Sequence, residues 1–252
     1  MQTKRKSPVV GLVILILILA LAAFFVHAVG GLDGLKVLIR ARESLKRIDD
    51  KEIRAAFTDL AEKNPEAEAY ITGFNGVTDY DLELDLSGEL TAGEIPYLTQ
   101  WDSRWGYCRY GSGLVGYTGC GPTALSMVAM GVTGDGSLTP AFMADFAIRN
   151  GYCVTGNGTA WTLFSEGAEK LGLTVKELPL WEDTMRAELA AGRPIICIMG
   201  PGDFTETGHY IVLTGCSSEG FDVYDPFRPS NCKVWDYDTL SPQIRNLWSY
   251  SA

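Results

Sequence analysis

The chain has 252 residues, 46% hydrophobic and 21% charged, with a formal net charge of -10. That composition is enough to bury a core and excludes a disordered or collagen-like chain. The charge is split: residues 1–65 carry eleven Lys/Arg against seven Asp/Glu, and residues 66–252 carry ten against twenty-four. A body that acidic lacks the basic face that nucleic acid requires, so no nucleic-acid partner is expected.

Lys4, Arg5 and Lys6 precede an uncharged run over residues 8–32, whose centre, residues 9–26, has no polar side chain. Such a run approaches the roughly 20 residues needed to cross a bilayer and exceeds the roughly 7–15 apolar residues of a usual signal peptide. Residues 1–32 therefore read as a cytoplasmic basic tip and one transmembrane helix, with the body extracytoplasmic. The alternative is secretion after cleavage near Val26-His27-Ala28.

Residues 33–94 read as a helical stalk and acidic connector. Leu35, Leu38, Ile39, Leu45 and Ile48 are helically spaced. Asp49 or Asp50 can cap a further helix carrying Ile53, Phe57 and Leu60 and ended by Asn64-Pro65. The body covers residues 95–252. Gly121-Pro122-Thr123 opens an apolar helix through residue 132, Thr139-Pro140 a second ending at Asn150-Gly151, and residues 160–171 make a third. Trp181, Met185 and Leu189 mark a fourth, closed by Gly192. Period-two strands follow over residues 194–199, 209–215, 221–225 and 232–237. Helices first and strands afterwards predict an α+β body with an antiparallel sheet.

Only two histidines occur, His27 in the apolar run and His209, so histidine chemistry in the body rests on His209. If residues 209–214 and 221–225 form a hairpin with Leu213 opposite Phe221, then Ile211 faces Val223 and His209 faces Asp225. Directly opposed residues lie about 4.5–5.5 Å apart at Cα, close enough for a carboxylate to hold the imidazole by Nδ1–H. The best nucleophile for such a pair is Cys120. It stands between Gly119 and Gly121 at the mouth of the Pro122 helix, where the positive end of the helix dipole favours a thiolate. Cys197 lies in an apolar strand and reads as inert core. Cys108, Cys153, Cys216 and Cys232 can be free or paired, and no C-x-x-C spacing suggests a metal site. No metal or organic cofactor is expected. For the oxyanion of an attacked carbonyl, the Cys120 N–H supplies one donor and the Gln100 amide is a candidate for a second.

The segments Gln100-Trp101-Asp102-Ser103-Arg104-Trp105-Gly106, Gly119-Cys120-Gly121-Pro122-Thr123, Gly208-His209-Tyr210 and Tyr224-Asp225-Pro226 resemble, in order, the motif series of the C39-like cysteine peptidases. The resemblance runs from about Ile95 to the C terminus. It implies a papain-like fold, with Gln100 serving the oxyanion hole, Cys120 as nucleophile, His209 as its base and Asp225 orienting the histidine. The best-known members are fused to multi-span exporters with an ATPase and remove leader peptides, and their glutamine lies nearer the cysteine. With one expected span and an extracytoplasmic body, this chain resembles the stand-alone branch, and the leader-peptide substrate is not carried over. The expected activity is hydrolysis of peptide bonds in a polypeptide or cell-wall peptide. The rivals are an acyltransferase using the same residues and a non-catalytic surface binding module.

Two further patterns carry less. Gly111-Ser112-Gly113-Leu114-Val115-Gly116 matches G-x-G-x-x-G, but no strand precedes it, so it reads as a loop beside the nucleophile. Asn157-Gly158-Thr159 fits a glycosylation sequon. Trp101, Trp105, Tyr107, Tyr110 and Tyr117 can line a groove or fill the core.

Overall fold

The computed structural model describes residues 48–154, 156 and 158–252, together with Lys36, Arg40, Leu45 and Lys46. The anchor read over residues 1–32 and Asn157 of the sequon lie outside the described residues. Among the described residues, no helix is long and apolar enough to cross a membrane.

Helix α1 (Lys51–Lys63) starts where the Asp50 carboxylate accepts the N–H groups of Glu52 and Ile53 at 2.9 and 3.1 Å, a side-chain cap for the orphan donors of a first turn. Helix α2 (Glu68–Gly73) follows after a single turn at Pro65–Ala67. These helices form no isolated stalk. Phe57, Leu60, Tyr70 and Ile71 are buried in a cluster with Leu114, against which Trp101, Tyr107 and Tyr117 pack. Tyr70 stacks on Tyr107 and donates its hydroxyl to Gly106 O at 2.7 Å. At Gly116 a Cβ would stand 2.4 Å from the Tyr70 ring, so that glycine makes room for the aromatic that α2 inserts.

Arg109–Tyr110 and Gly113–Leu114 then form a two-stranded ribbon. Gly111, at φ 62°, turns it in the left-handed region that favours glycine. The G-x-G-x-x-G match is thus a tight hairpin and the turn after it. Helix α3 (Cys120–Thr133) runs fully buried from Gly121 to Met130 and ends at Gly134, φ 75°. Helix α4 (Pro140–Arg149) is capped by Thr139, whose hydroxyl accepts the Phe142 N–H. The third expected helix is broken: Trp161–Leu163 is a 3-10 turn, and α5 spans only Glu166–Lys170. The break lets Phe164 turn inward to stack on Tyr210 and Trp248, with ring centroids 4.2 and 5.5 Å away.

Strand β1 (Thr174–Glu177) precedes helix α6 (Glu182–Ala190), which buries Met185 and Leu189. Trp181, expected within that helix, is instead the residue before it and is 67% exposed. Strands β2 (Ile195–Met199), β3 (His209–Ser217), β4 (Gly220–Tyr224), β5 (Val234–Trp235) and β6 (Ile244–Ser251) complete one six-stranded antiparallel sheet in the order β1-β6-β2-β3-β4-β5. Strands β1 and β6 had no counterpart in the sequence reading, and β5 is shorter than expected. The body is therefore the expected α+β architecture, with helices on both faces of the sheet. Alternation divides β2 between two cores: Ile196 and Ile198 pack with α3 and α4, while Ile195, Cys197 and Met199 pack with α6.

The β3–β4 hairpin differs from the expected register by two residues. Leu213 pairs with Val223 and Val212 with Tyr224, and a bulge between Leu213 and Gly215 makes Cys216 pair with Phe221. A two-residue turn at Ser218-Glu219 replaces the five-residue loop. Because the slip near His209 is even, residues 209 and 225 keep the same facing parity.

A buried ion cluster closes the far edge. Glu188 is 4% exposed, bonds Lys176 Nζ at 2.7 Å and Ser249 Oγ at 3.0 Å, and meets the Arg193 guanidinium. The Arg193 hydrogen bond leads in holding its carboxyl at about 2 against the effect of burial. The folded pKa is depressed, so this stabilisation is complete above the unfolded value of about 4.3 and disappears as pH falls from there toward about 2. Glu188→Gln is expected to cost about 2 kcal/mol at pH 7, discounting for the solvent around Lys176 and Arg193, and about half as much at pH 3. Urea unfolding at the two pH values checks this, and an equal cost at both would refute it.

Candidate active site

Cys120 is the first residue of α3, where the leading N–H groups have no intrahelical acceptor and the helix dipole is positive. Its neighbours are glycines because nothing larger fits. A Cβ at Gly121 would meet Thr159 Oγ1 at 2.5 Å, and one at Gly119 would meet Val115 O at 2.5 Å.

His209 opens β3, 6% exposed, and Asp225 follows β4, 1% exposed. His209 Nε2 lies 2.7 Å from Asp225 Oδ1. The expected pair is thus present, but through the other ring nitrogen: Nε2 faces the carboxylate, which leaves Nδ1 as the ring nitrogen available to Cys120. With the two-residue slip, Asp225 is not directly opposite His209 and reaches it from the loop beyond the strand end.

That loop is built around the carboxylate. Oδ1 also accepts the N–H groups of Phe227 and Arg228 at 2.8 and 3.1 Å, and Oδ2 accepts Asn231 Nδ2 at 2.7 Å. Asn64, 2% exposed at the end of α1, donates Nδ2 to Phe227 O, and Trp101 Nε1 donates to the same carbonyl at 2.9 Å. The sequence reading passed over Asn231 and took Asn64 only as a helix end. The turn-rich run Asp225-Pro226-Phe227-Arg228-Pro229-Ser230-Asn231 was a usable signal for the first. Nothing local ties Asn64 to this loop, since its partner is 163 positions away.

Gln100, 1% exposed, is anchored by its N–H to Pro226 O at 2.8 Å and donates Nε2 to Gly116 O at 3.2 Å. The amide nitrogen carries two hydrogens, so one remains after that bond. Gln100, Cys120 and His209 line one cleft of about 460 Å³, with Tyr117, Phe227 and Arg228 on its walls. All four predicted residues therefore converge. Of the aromatics, Trp105 and Tyr110 are core, Tyr117 lines the cleft, and Tyr107 and Trp101 tie the body to α2 and to the Asp225 loop.

The electrostatics favour a charge-separated pair. Burial raises the Cys120 thiol, but the His209 hydrogen bond and charge, with the N–H groups of Tyr210 and Gly121, outweigh it and leave its pKa lowered. Burial alone would lower the His209 imidazole, whereas the Asp225 charge and hydrogen bond, helped by Cys120, raise it. Asp225 in turn is destabilised as an anion by burial and held ionised by His209, Asn231 and the Phe227 N–H. All six cysteines are free thiols. Cys197 is fully buried in β2 and its pKa is pushed up by burial, as expected of inert core.

A family model described as Peptidase_C39 like family matches residues 93–251. Among solved structures, the chain is similar to a C39-like peptidase from Bacillus anthracis, with 17% identity over 64% of this chain and 96% of that one and a TM-score of 0.43. It is also similar to the peptidase domain of Streptococcus ComA, a bi-functional ABC transporter involved in a quorum-sensing pathway, with 19% identity, 63% and 98% coverage and a TM-score of 0.44. No curated protein matches the chain.

Proposed function

The chain belongs to the Peptidase_C39 like family, and on that premise we propose that it is a membrane-anchored, extracytoplasmic cysteine peptidase acting on a polypeptide or a cell-wall peptide. The observation that carries the reading is the convergence of a thiol of lowered pKa, a buried His–Asp pair and a buried amide in one open cleft. The anchor rests on the apolar run over residues 8–32 and its basic flank.

In this mechanism the Cys120 thiolate attacks the scissile carbonyl. The oxyanion accepts hydrogen bonds from Cys120 N–H and the second Nε2–H of Gln100. His209, held through Nε2 by Asp225, delivers its Nδ1 proton to the leaving amine as the C–N bond breaks. Water then gives a proton back to Nδ1 and attacks the thioester, releasing the acid and restoring the thiolate–imidazolium pair. Gln100→Ala is expected to lower kcat by about 10²–10³-fold, as loss of one oxyanion donor does. The pH dependence of Cys120 alkylation should stay unchanged. A shift in that dependence equal to the activity loss would assign Gln100 to thiol activation instead.

The direct test is digestion of a proteome-derived peptide library by the full chain purified in detergent, read by mass spectrometry beside Cys120→Ala. New termini that depend on Cys120 support the proposal, and their absence overturns it. Protease accessibility of the body in intact cells tests the placement. Cleavage only after lysis would overturn the extracytoplasmic assignment.

A further inference from the structure

Nine arginines lie among the described residues, and eight of them form an ion pair with a carboxylate or donate to a backbone carbonyl. Arg228 is the exception. Its main-chain N–H binds Asp225, its Nε is buried without a hydrogen-bond partner, and its guanidinium carbon stands 5.9 Å from the Phe227 ring. In a body with so large an excess of acids, a guanidinium with no carboxylate or carbonyl partner among the described residues is conspicuous, and this one lines the cleft that holds Cys120 and His209.

The acids along the same cleft are mostly committed. Asp59 accepts the Tyr117 hydroxyl at 2.5 Å and faces Lys63 Nζ at 3.1 Å, and Asp203 accepts Gln243 Nε2 at 2.7 Å. Glu206, exposed on the loop before β3, is the remaining lining acid. Direction follows from the chemistry. His209 has to reach the leaving amine, so the leaving-group half of a substrate lies on the His209 side of Cys120. The Phe227 ring packs edge-on to His209 with centroids 6.2 Å apart, and Arg228 is the next residue.

We propose that Arg228 is a specificity residue that binds a carboxylate carried by the leaving-group half of the substrate, whether an acidic side chain or a free C-terminal carboxylate. The inference rests on the peptidase reading. A guanidinium presents a planar fork of donors that matches a carboxylate, and such charge-assisted bonds are about twice as strong as neutral ones.

The test uses the full chain in detergent and peptide pairs that differ only in Asp/Glu against Asn/Gln after the cut, or in a free against an amidated C terminus. The first pairs isolate a side-chain carboxylate and the second a terminal one. The wild-type chain should cleave the carboxylate member of one set faster. Arg228→Gln should reduce that ratio about tenfold or more, with Arg228→Lys retaining part of it. Cleavage that depends on Cys120 but shows the same ratio in wild type and Arg228→Gln overturns the inference and leaves the peptidase reading standing. A second measurement needs no substrate: the rates at which iodoacetate and iodoacetamide alkylate Cys120. Arg228→Gln should lower the iodoacetate-to-iodoacetamide ratio severalfold, and an unchanged ratio counts against Arg228. Slow reaction with both reagents at pH 6 counts against the thiolate, and with it the peptidase reading.

Discussion

Cys120→Ala is expected to remove peptide hydrolysis, with kcat falling by about 10⁴-fold or more, while the protein stays folded. No other thiol can replace it, because none of the other five cysteines lines the cleft. Cys108, Cys153 and Cys232 also have thiols raised by burial, and Cys197 is sealed within β2. The fold should tolerate the change because Cys120 is only partly buried, at the start of a helix that alanine favours. Cys120→Ser should be nearly as inactive. A serine hydroxyl is far too weak an acid to hold its proton on His209 as a standing ion pair, so the attacking group would be neutral. Turnover of a cleaved library peptide, with thermal unfolding recorded alongside, checks both variants. Activity in Cys120→Ala above one part in a hundred would remove Cys120 from the mechanism.

His209→Ala carries the second large effect, read on the thiol itself. In the wild-type chain the thiol pKa is lowered and the imidazole pKa raised, so thiolate and imidazolium coexist between the two. Alkylation of Cys120 should therefore extend below the ordinary thiol value of about 8.5. Without the imidazolium the main lowering influence is gone and burial remains, so Cys120 should titrate at or above that value. Below it the rate should then fall about tenfold per pH unit. The signs predict a bell for kcat/KM. Activity rises with pH as Cys120 loses its proton and falls at higher pH as His209 loses the proton it must donate. Asp225→Asn removes the leading influence that raises His209 and should bring the alkaline limb to lower pH. Identical alkylation profiles in wild type and His209→Ala would dissolve the pair.

The parts legible in the sequence were those written by local chemistry. Helices α3 and α4 announce themselves through Gly121-Pro122 and Thr139-Pro140, and their caps lie where those residues put them. His209 and Asp225 could be linked by parity alone, because a two-residue slip in a hairpin preserves which face a side chain takes. The ring nitrogen could not be assigned, since it depends on the slip itself and on the bulge after Leu213. Strand β6 escaped because Leu247, Trp248, Ser249 and Tyr250 are all buried between the two cores, which erases the alternation a half-exposed strand would show. The role of Gln100 came from the resemblance, since its approach to the site depends on the bond to Pro226 O across the chain. Arg228 was invisible for the opposite reason: its distinction is a missing partner, and a sequence shows no pairing.

The packing of α1 and α2 into the body sets a working radius. Leu45 and Ile48 are already buried with α1, and Arg40 pairs with Glu68 of α2 at 3.6 Å, so at most residues 33–44 separate the body from the proposed anchor. Twelve residues span at most about 40 Å fully extended and about 18 Å as a helix. On the proposed anchor, so short a leash would confine the enzyme to the bilayer surface and to substrates that are themselves delivered there. Its selectivity would then be geographical before it is chemical.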